Sequence, residues 1–348
     1  MYLLEKFKAR SVRLFSRELI SCNFSDSAQT DPVYQVVFDA GESGLSYKVG
    51  DALGIFSQNS PNVVHNVLDA LGYASQEQVE SRHSACPLTA EQLFTSYLDV
   101  DKFPAKLKSY FPKTDDTYSF YDAIREFKPR IPLKDLVQIA SPLLPRFYSI
   151  ASSPSVMKDK IELLVRLVSY SGKFDTRYGV CSYFLCNELA KGSCCPVFVQ
   201  PTKYFTLGEK TVGKPIVMIG SGTGVAPYKG FLQQRLHDND TGRNVLFFGE
   251  RFEKANFYYR SFWEKLEEQN KLQLFSAFSR DGNKKTYVQD IVREQEQLIS
   301  ELYDGGAYFF ICGSKDLGVG VKKTLEDILG KDALSTMKEE RRYLVDVY

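Results

Sequence analysis

Two segments in the second half of the chain have the residue types and spacing to hold phosphate. Gly220-Ser-Gly-Thr-Gly-Val-Ala-Pro227 lies between an apolar run, Ile216 to Ile219, and a stretch with helical periodicity from 226 to 237. Backbone N–H groups at a helix start, with no side chains in the way, make an anion site. At the carboxyl end of a parallel strand the expected anion is a dinucleotide pyrophosphate, with Gly222, Thr223 and Gly224 as its contacts. Position 225 is Val, so this is not the Rossmann fingerprint, and no Gly-Lys-Ser/Thr follows, so it is not a Walker loop. The second segment, Ser279-Arg280-Asp-Gly-Asn-Lys284-Lys285-Thr-Tyr287, follows the apolar run Leu272 to Phe278 and should emerge at the same sheet edge. An NAD site would carry an acid for the ribose hydroxyl. Here stand a hydroxyl, a guanidinium, two ammonium groups and a phenol, a set that suits a 2′-phosphate and an adenine. An unliganded tight turn and a solvated charge run are the plain alternatives, and the shared sheet edge favours NADPH.

A third pair of segments is less telling. Arg146-Phe147-Tyr148-Ser149 reads as a strand, and Gly179-Val180-Cys181-Ser182 precedes a helix about thirty residues later. The second offers another helix start for a pyrophosphate, Arg146 a compensating charge, and Tyr148 a face for a flat ring. Alone, such a strand is more often structural.

Two kinds of element must position these residues. Up to about 205 the chain reads as β-rich, with strands at Val33–Asp39, 146–151, 161–170 and 196–200. A helical insert interrupts it from about 60 to 140. Ser60-Pro61 and Thr89 are its helix starts, and a third short helix follows Ile131-Pro132. Residues 180 to 189 look helical. From 215 strands and helices alternate: strands at 216–219, 245–248, 272–278 and 308–311, and helices at 226–237, 257–269, 286–302 and 317–329. That rhythm argues for a doubly wound parallel α/β sheet. The expected architecture is therefore α+β in two domains, at 1–208 and 209–348, with the boundary near 205 to 214.

The bulk numbers exclude much. A formal net charge of +1 over 348 residues recruits neither nucleic acid nor a membrane surface. No apolar run approaches a bilayer span. Seven cysteines (22, 86, 181, 186, 194, 195 and 312) include no CxxC pair, and with three histidines no metal site is expected. A reducing cytoplasm fits these thiols best.

Taken together and in order, the motifs from about Tyr47 to Tyr348 resemble the ferredoxin–NADP reductase superfamily, in its diflavin reductase branch. Arg146 to Ser149 looks like its flavin strand motif, and Gly179 to Ser182 like its pyrophosphate loop. Gly220 to Pro227 looks like its nicotinamide-side loop, and Ser279, Arg280, Lys285 and Tyr287 like its 2′-phosphate site. Phe310-Ile-Cys312-Gly313 looks like the strand end beside the nicotinamide. The segment Glu340 to Tyr348 is most similar to the flavoproteins of NADPH sulfite reductase. The resemblance implies an antiparallel β-barrel FAD domain with a helical insert, then an NADP-binding domain. It adds Leu164, Val165, Arg166, Tyr170 and Gln289 to the cofactor contacts. It makes Ser149, Cys312, Asp346 and Tyr348 the catalytic set: Ser149 near the reacting flavin edge, Cys312 beside the nicotinamide, Asp346 against its developing positive charge, and Tyr348 stacked on the flavin ring.

There are departures. Val49, Cys181 and Ser221 replace the usual Pro, Ala and Pro, and Gly320 stands where an acidic residue is common. Residues 1–46 are too few for a flavodoxin-like FMN domain, so FAD without FMN is the expectation. The electron acceptor implied is a separate protein: a sulfite reductase haemoprotein, a flavodoxin-like FMN protein or a ferredoxin. A general NADPH–flavodoxin, ferredoxin or cytochrome-type reductase and a non-catalytic scaffold are the alternatives.

Overall fold

The computed structural model describes residues 2–21, 31–81, 84–112 and 118–348, so Cys22 lies outside the described residues. Six strands form the first sheet: β1 (Arg10–Leu19), β2 (Val33–Asp39), β3 (Ala52–Ile55), β4 (Arg146–Ser149), β5 (Lys160–Arg166) and β6 (Cys194–Gln200). Their order is β4-β3-β6-β1-β2-β5, and every pairing is antiparallel. The sheet closes into a barrel because Ile150, just past β4, bridges Leu163 of β5, and Ala151 N–H donates to the Glu162 carbonyl at 2.8 Å. Val12, Leu14, Val36, Phe38, Leu53, Leu163, Val165 and Val197 fill its interior.

The insert packs α1 (Pro61–Leu71), α2 (Ala90–Ser96), α3 (Phe120–Phe127) and α4 (Leu133–Ile139) around their own core of Val67, Leu93, Phe94, Phe120, Ile124 and Leu136. The starts read from sequence hold: Ser60 accepts from Val63 N–H, and Thr89 forms a capping box with Gln92. A short hairpin, Ser169–Ser171 with Thr176–Tyr178, ties the insert to the barrel. Arg177 and the Tyr170 hydroxyl both donate to Asp101, at 2.5 and 2.9 Å, and Arg125 pairs with Asp175 at 2.7 Å.

The second sheet is parallel throughout. Its strands are β7 (Ile216–Ser221), β8 (Asn244–Glu250), β9 (Gln273–Phe278), β10 (Tyr308–Gly313) and β11 (Tyr343–Val347), in the order β9-β8-β7-β10-β11. Buried side chains on each sheet face meet helices. Among these are α5 (Ala226–His237), α6 (Arg260–Glu268), α7 (Val288–Glu294), α8 (Glu296–Asp304), α9 (Lys315–Leu329) and α10 (Lys331–Glu339).

Several elements differ from the sequence reading. The helix expected over 257–269 starts only at Arg260, because Tyr259 takes a left-handed φ of 59° and the Trp263 indole N–H pins the Tyr258 carbonyl at 2.7 Å. The helix expected over 286–302 is two, broken at Gln295. The strand expected to reach 170 ends at Arg166, where Val168 N–H turns to the Ser182 hydroxyl. Strand β1 carries too many outward charges for its pattern to stand out, and β11 is only five residues long; pairing in the sheet forms both.

Candidate functional site at the junction of the two sheets

The parallel register sets Cys312 opposite Asp346 and Gly313 opposite Val347. Ser149, at the end of barrel strand β4, reaches across and donates to Asp346 Oδ2 at 3.5 Å. Burial raises the Asp346 carboxyl above the usual carboxylate range, and the Ser149 hydroxyl pulls it back down. Cys312 is fully buried; burial, then the neighbouring Asp346 charge, pushes its thiol far up, so it is neutral at physiological pH. A nucleophilic role would need the thiolate, which this setting opposes.

The glycine turn lies directly on this strand end. A Cβ at Gly224 would sit 2.2 Å from the Cys312 carbonyl oxygen, so only glycine permits the approach. Tyr348 bridges the same two parts: its N–H donates to the Gly313 carbonyl at 3.1 Å, and its hydroxyl lies 2.9 Å from Thr223 Oγ1. It is 63% exposed, so its ring is held at both ends yet open on one side. Ser149, Cys312, Asp346 and Tyr348, drawn from three widely separated stretches, therefore meet at one place.

On the barrel side, Arg146 is exposed, and the Phe147 ring packs edge-on against Phe198 at 5.7 Å. Burial, then the neighbouring Cys181, pushes the Tyr148 phenol up, and burial pushes the Cys181 thiol to about 11. Gly179 to Ser182 open a helical run, and the Ser182 hydroxyl stiffens the loop by donating to the Gly179 carbonyl at 2.9 Å. The first N–H groups of that run have no partner within it. Beside Val180 opens a cleft of about 220 Å³, lined by Asn59, Asn66, Tyr121, Arg177 and Tyr178. A buried arginine, amides and phenol rings next to a helix start fit the nucleotide half of FAD. The Leu164 and Val165 side chains are buried in two different cores, which leaves only their backbone for contact. Tyr170 is turned to Asp101 of the insert.

On the nucleotide side, Ser279 is held by the Glu250 carbonyl through both its N–H (2.8 Å) and its hydroxyl (3.3 Å). Arg280, Lys284, Lys285 and Tyr287 are exposed beside it. Tyr287 is also the residue before α7, with its N–H on Asp290 at 2.8 Å. Gln289 lies against Gly320, where an acidic side chain would force it to shift. Among the described residues no group of three or more His, Cys, Asp or Glu could hold a metal, and no helix is long and apolar enough to cross a membrane.

Sequence reasoning missed four residues at this junction: Glu162, Lys229, Glu250 and Tyr258. Lys229 pairs with Glu162 and Arg166 with Glu250, and the Tyr258 hydroxyl donates to Glu250 at 3.1 Å. The available signal was a lone charge inside an apolar run, as Glu162 is between Ile161 and Leu163, since a buried charge must find a partner.

Residues 218–323 match the model of an oxidoreductase NAD-binding domain, and residues 105–184 that of an FAD binding domain. Both matches, in this order along the chain, fit the diflavin reductase branch of the ferredoxin–NADP reductase superfamily. It is 31% identical over 96% of its length to the sulfite reductase [NADPH] flavoprotein alpha-component of Neisseria meningitidis serogroup A, covering 59% of that protein. For the same component of Zymomonas mobilis the identity is 33%, over 91% of this chain and 57% of the relative; for that of Vibrio cholerae it is 32%, over 91% and 56%. The chain thus spans under three fifths of these relatives. FAD and NADPH are the cofactors that the family and the residues at the junction support.

Proposed function

We propose that this chain oxidises NADPH and delivers the electrons through FAD to a separate acceptor protein, as the flavoprotein component of sulfite reductase. The supporting observation is the meeting of Ser149, Cys312, Asp346 and Tyr348 where the FAD-type barrel abuts the glycine turn. When bound, FAD takes a hydride from reduced nicotinamide and releases electrons singly. The chain's own residues supply binding and electrostatics. Arg146 and the Gly179–Ser182 helix start would hold the flavin pyrophosphate, with Tyr148 against the ring system. Leu164, Val165, Arg166 and Tyr170 would border it. Gly222, Thr223 and Gly224 would carry the nicotinamide side; Ser279, Arg280 and Lys285 the 2′-phosphate; Tyr287 the adenine, with Gln289 nearby. The Ser149 hydroxyl would donate at the reacting edge, and the Asp346 carboxylate would stabilise positive charge on the nicotinamide. Cys312 would remain a neutral packing group, and Tyr348 would cover the flavin and swing aside for nicotinamide.

Domain limits of 1–208 and 209–348 follow from this reading. The haemoprotein of sulfite reductase is the proposed acceptor, since the matched relatives are sulfite reductase components. The six free cysteines among the described residues suit a reducing cytoplasm. Purified protein should carry one FAD per chain, be bleached by NADPH well before NADH, and yield sulfide from sulfite with a haemoprotein partner. A colourless protein, or a flavin that NADPH does not bleach, would refute the reductase reading. Bleaching without sulfide formation would refute only the acceptor.

A further inference from the structure

Strand β5 carries Glu162, Leu164 and Arg166 at alternate positions, so the three side chains share one face. That face looks across the junction at the nucleotide-binding domain. Leu164 is buried in one core with Ile216, Met218, Tyr228 and Tyr258. The Glu162 carboxylate, 1% exposed, takes both of its hydrogen bonds from Lys229 Nζ, at 2.5 and 2.6 Å. Lys229 lies in the first turn of α5, directly after the glycine turn. Arg166 pairs with Glu250 at the end of β8, and the Glu250 carbonyl is the acceptor that holds Ser279. One short strand thus grips the nicotinamide-side loop at one end and the base of the 2′-phosphate segment at the other.

The two grips have opposite polarity: an acid on the barrel at 162, a base on the barrel at 166. A shift of the domains along the strand would separate the buried Glu162–Lys229 pair and the half-buried Arg166–Glu250 pair and leave charges unmatched, which is unfavourable above all for the buried one. The surroundings reinforce the register. Lys229 Nζ stands 4.4 Å from the centroid of the Tyr259 ring, and the Tyr258 hydroxyl donates to Glu250. Close by, a Cβ on Gly230 would come within 3.0 Å of the Ser152 carbonyl, three residues after Ser149.

We propose that Glu162 and Arg166, with Lys229 and Glu250, are positioning residues that set the distance between the flavin-side Ser149 and the nicotinamide-side glycine turn. The proposal rests on the reading that FAD and NADPH meet at this junction. None of the four groups reacts. Their effect on rate comes from geometry, where a displacement of about 1 Å costs on the order of 100-fold. A buried ion pair adds little net stability compared with a well-packed neutral replacement, so its loss should be felt in placement more than in folding.

The test uses the FAD-loaded protein with Glu162→Gln combined with Lys229→Met, which removes both charges and keeps their bulk. Trp263, the only tryptophan, is buried beside this cluster and bonded to Tyr258, so its quenching by acrylamide reports on the junction without any turnover. The double variant should melt within a few degrees of the parent. Its Trp263 quenching should rise about twofold or more, and its NADPH turnover per bound FAD should fall about tenfold or more. Its NADP⁺ affinity should stay within about threefold. Lys229→Arg alone should keep both quenching and turnover near the parent. Unchanged quenching, unchanged turnover per FAD, or a loss of turnover matched by lost NADP⁺ affinity would overturn the proposal. If the double variant does not accumulate, Glu250→Gln applies the same criteria to the other pair. If NADPH fails to bleach the parent flavin, the reductase reading falls, and the quenching comparison still decides the positioning role.

Discussion

Removing one oxygen atom tests how Tyr348 guards the site. Its hydroxyl sits 2.9 Å from Thr223 Oγ1, in the loop that should receive nicotinamide, while its backbone N–H is held separately by Gly313. Tyr348→Phe keeps the ring and the backbone bond and deletes only the contact to Thr223. A hydrogen bond between neutral hydroxyls is worth about 1 kcal/mol net, and this one is open to water, so that figure is an upper guide. If nicotinamide must break the bond to displace the ring, Tyr348→Phe should tighten NADP⁺ binding by up to about fivefold. The assay is a titration of flavin absorbance with NADP⁺ in the parent, in Tyr348→Phe, in Thr223→Val and in the double variant. The two substitutions should be non-additive, with a coupling of about the same 1 kcal/mol. An affinity unchanged by Tyr348→Phe, or effects of the two changes that simply add, would refute the latch and with it the displacement model.

Three further outcomes follow from the same geometry. Asp346→Asn should lower turnover on the order of 100-fold, the scale of losing one electrostatic contact to a developing charge. Because burial raises the Asp346 carboxyl, the group favours folding most below its unfolded pKa and loses that contribution as pH rises through the folded value. Asp346→Asn should therefore leave melting at pH 7 unchanged or raised, and should abolish the fall in turnover as pH drops through the raised pKa; a lowered melting temperature at pH 7 would count against it. Gly224→Ala should cost about 1–3 kcal/mol or more in urea unfolding, because the new methyl would meet the Cys312 carbonyl; wild-type stability would contradict the close approach. Iodoacetamide followed by peptide mapping should label the exposed Cys194, whose thiol is lowered by Ser11 and Arg13, before Cys86, and leave Cys181 and Cys312 unmodified in the folded protein.

Much of the site was legible as local chemistry. A glycine turn after an apolar strand offers a candidate anion site, because backbone N–H groups need only a helix start and no side chain. The basic run at 279–287 was placed on the same edge because parallel strands all end on one side. The starts at Ser60 and Thr89 were readable because a capping side chain bonds within three residues of itself. The flavin strand at 146–149 was not readable in this way, since its residues act only against partners about thirty and two hundred residues away.

The amino-acid sequence by itself determined the two element rhythms, the glycine turn between strand and helix, and the basic run that follows Phe278, all of which arise from neighbours along the chain. The tertiary structure alone decided that Tyr343–Val347 is a strand, that its register sets Asp346 opposite Cys312, and that Ser149 reaches them from another domain. It alone decided, too, that Glu162 and Arg166 face Lys229 and Glu250. The reason is physical: strand pairing and ion pairing between distant segments are chosen by the packing of whole domains, and a lone charge in an apolar run shows that a partner is needed without showing which.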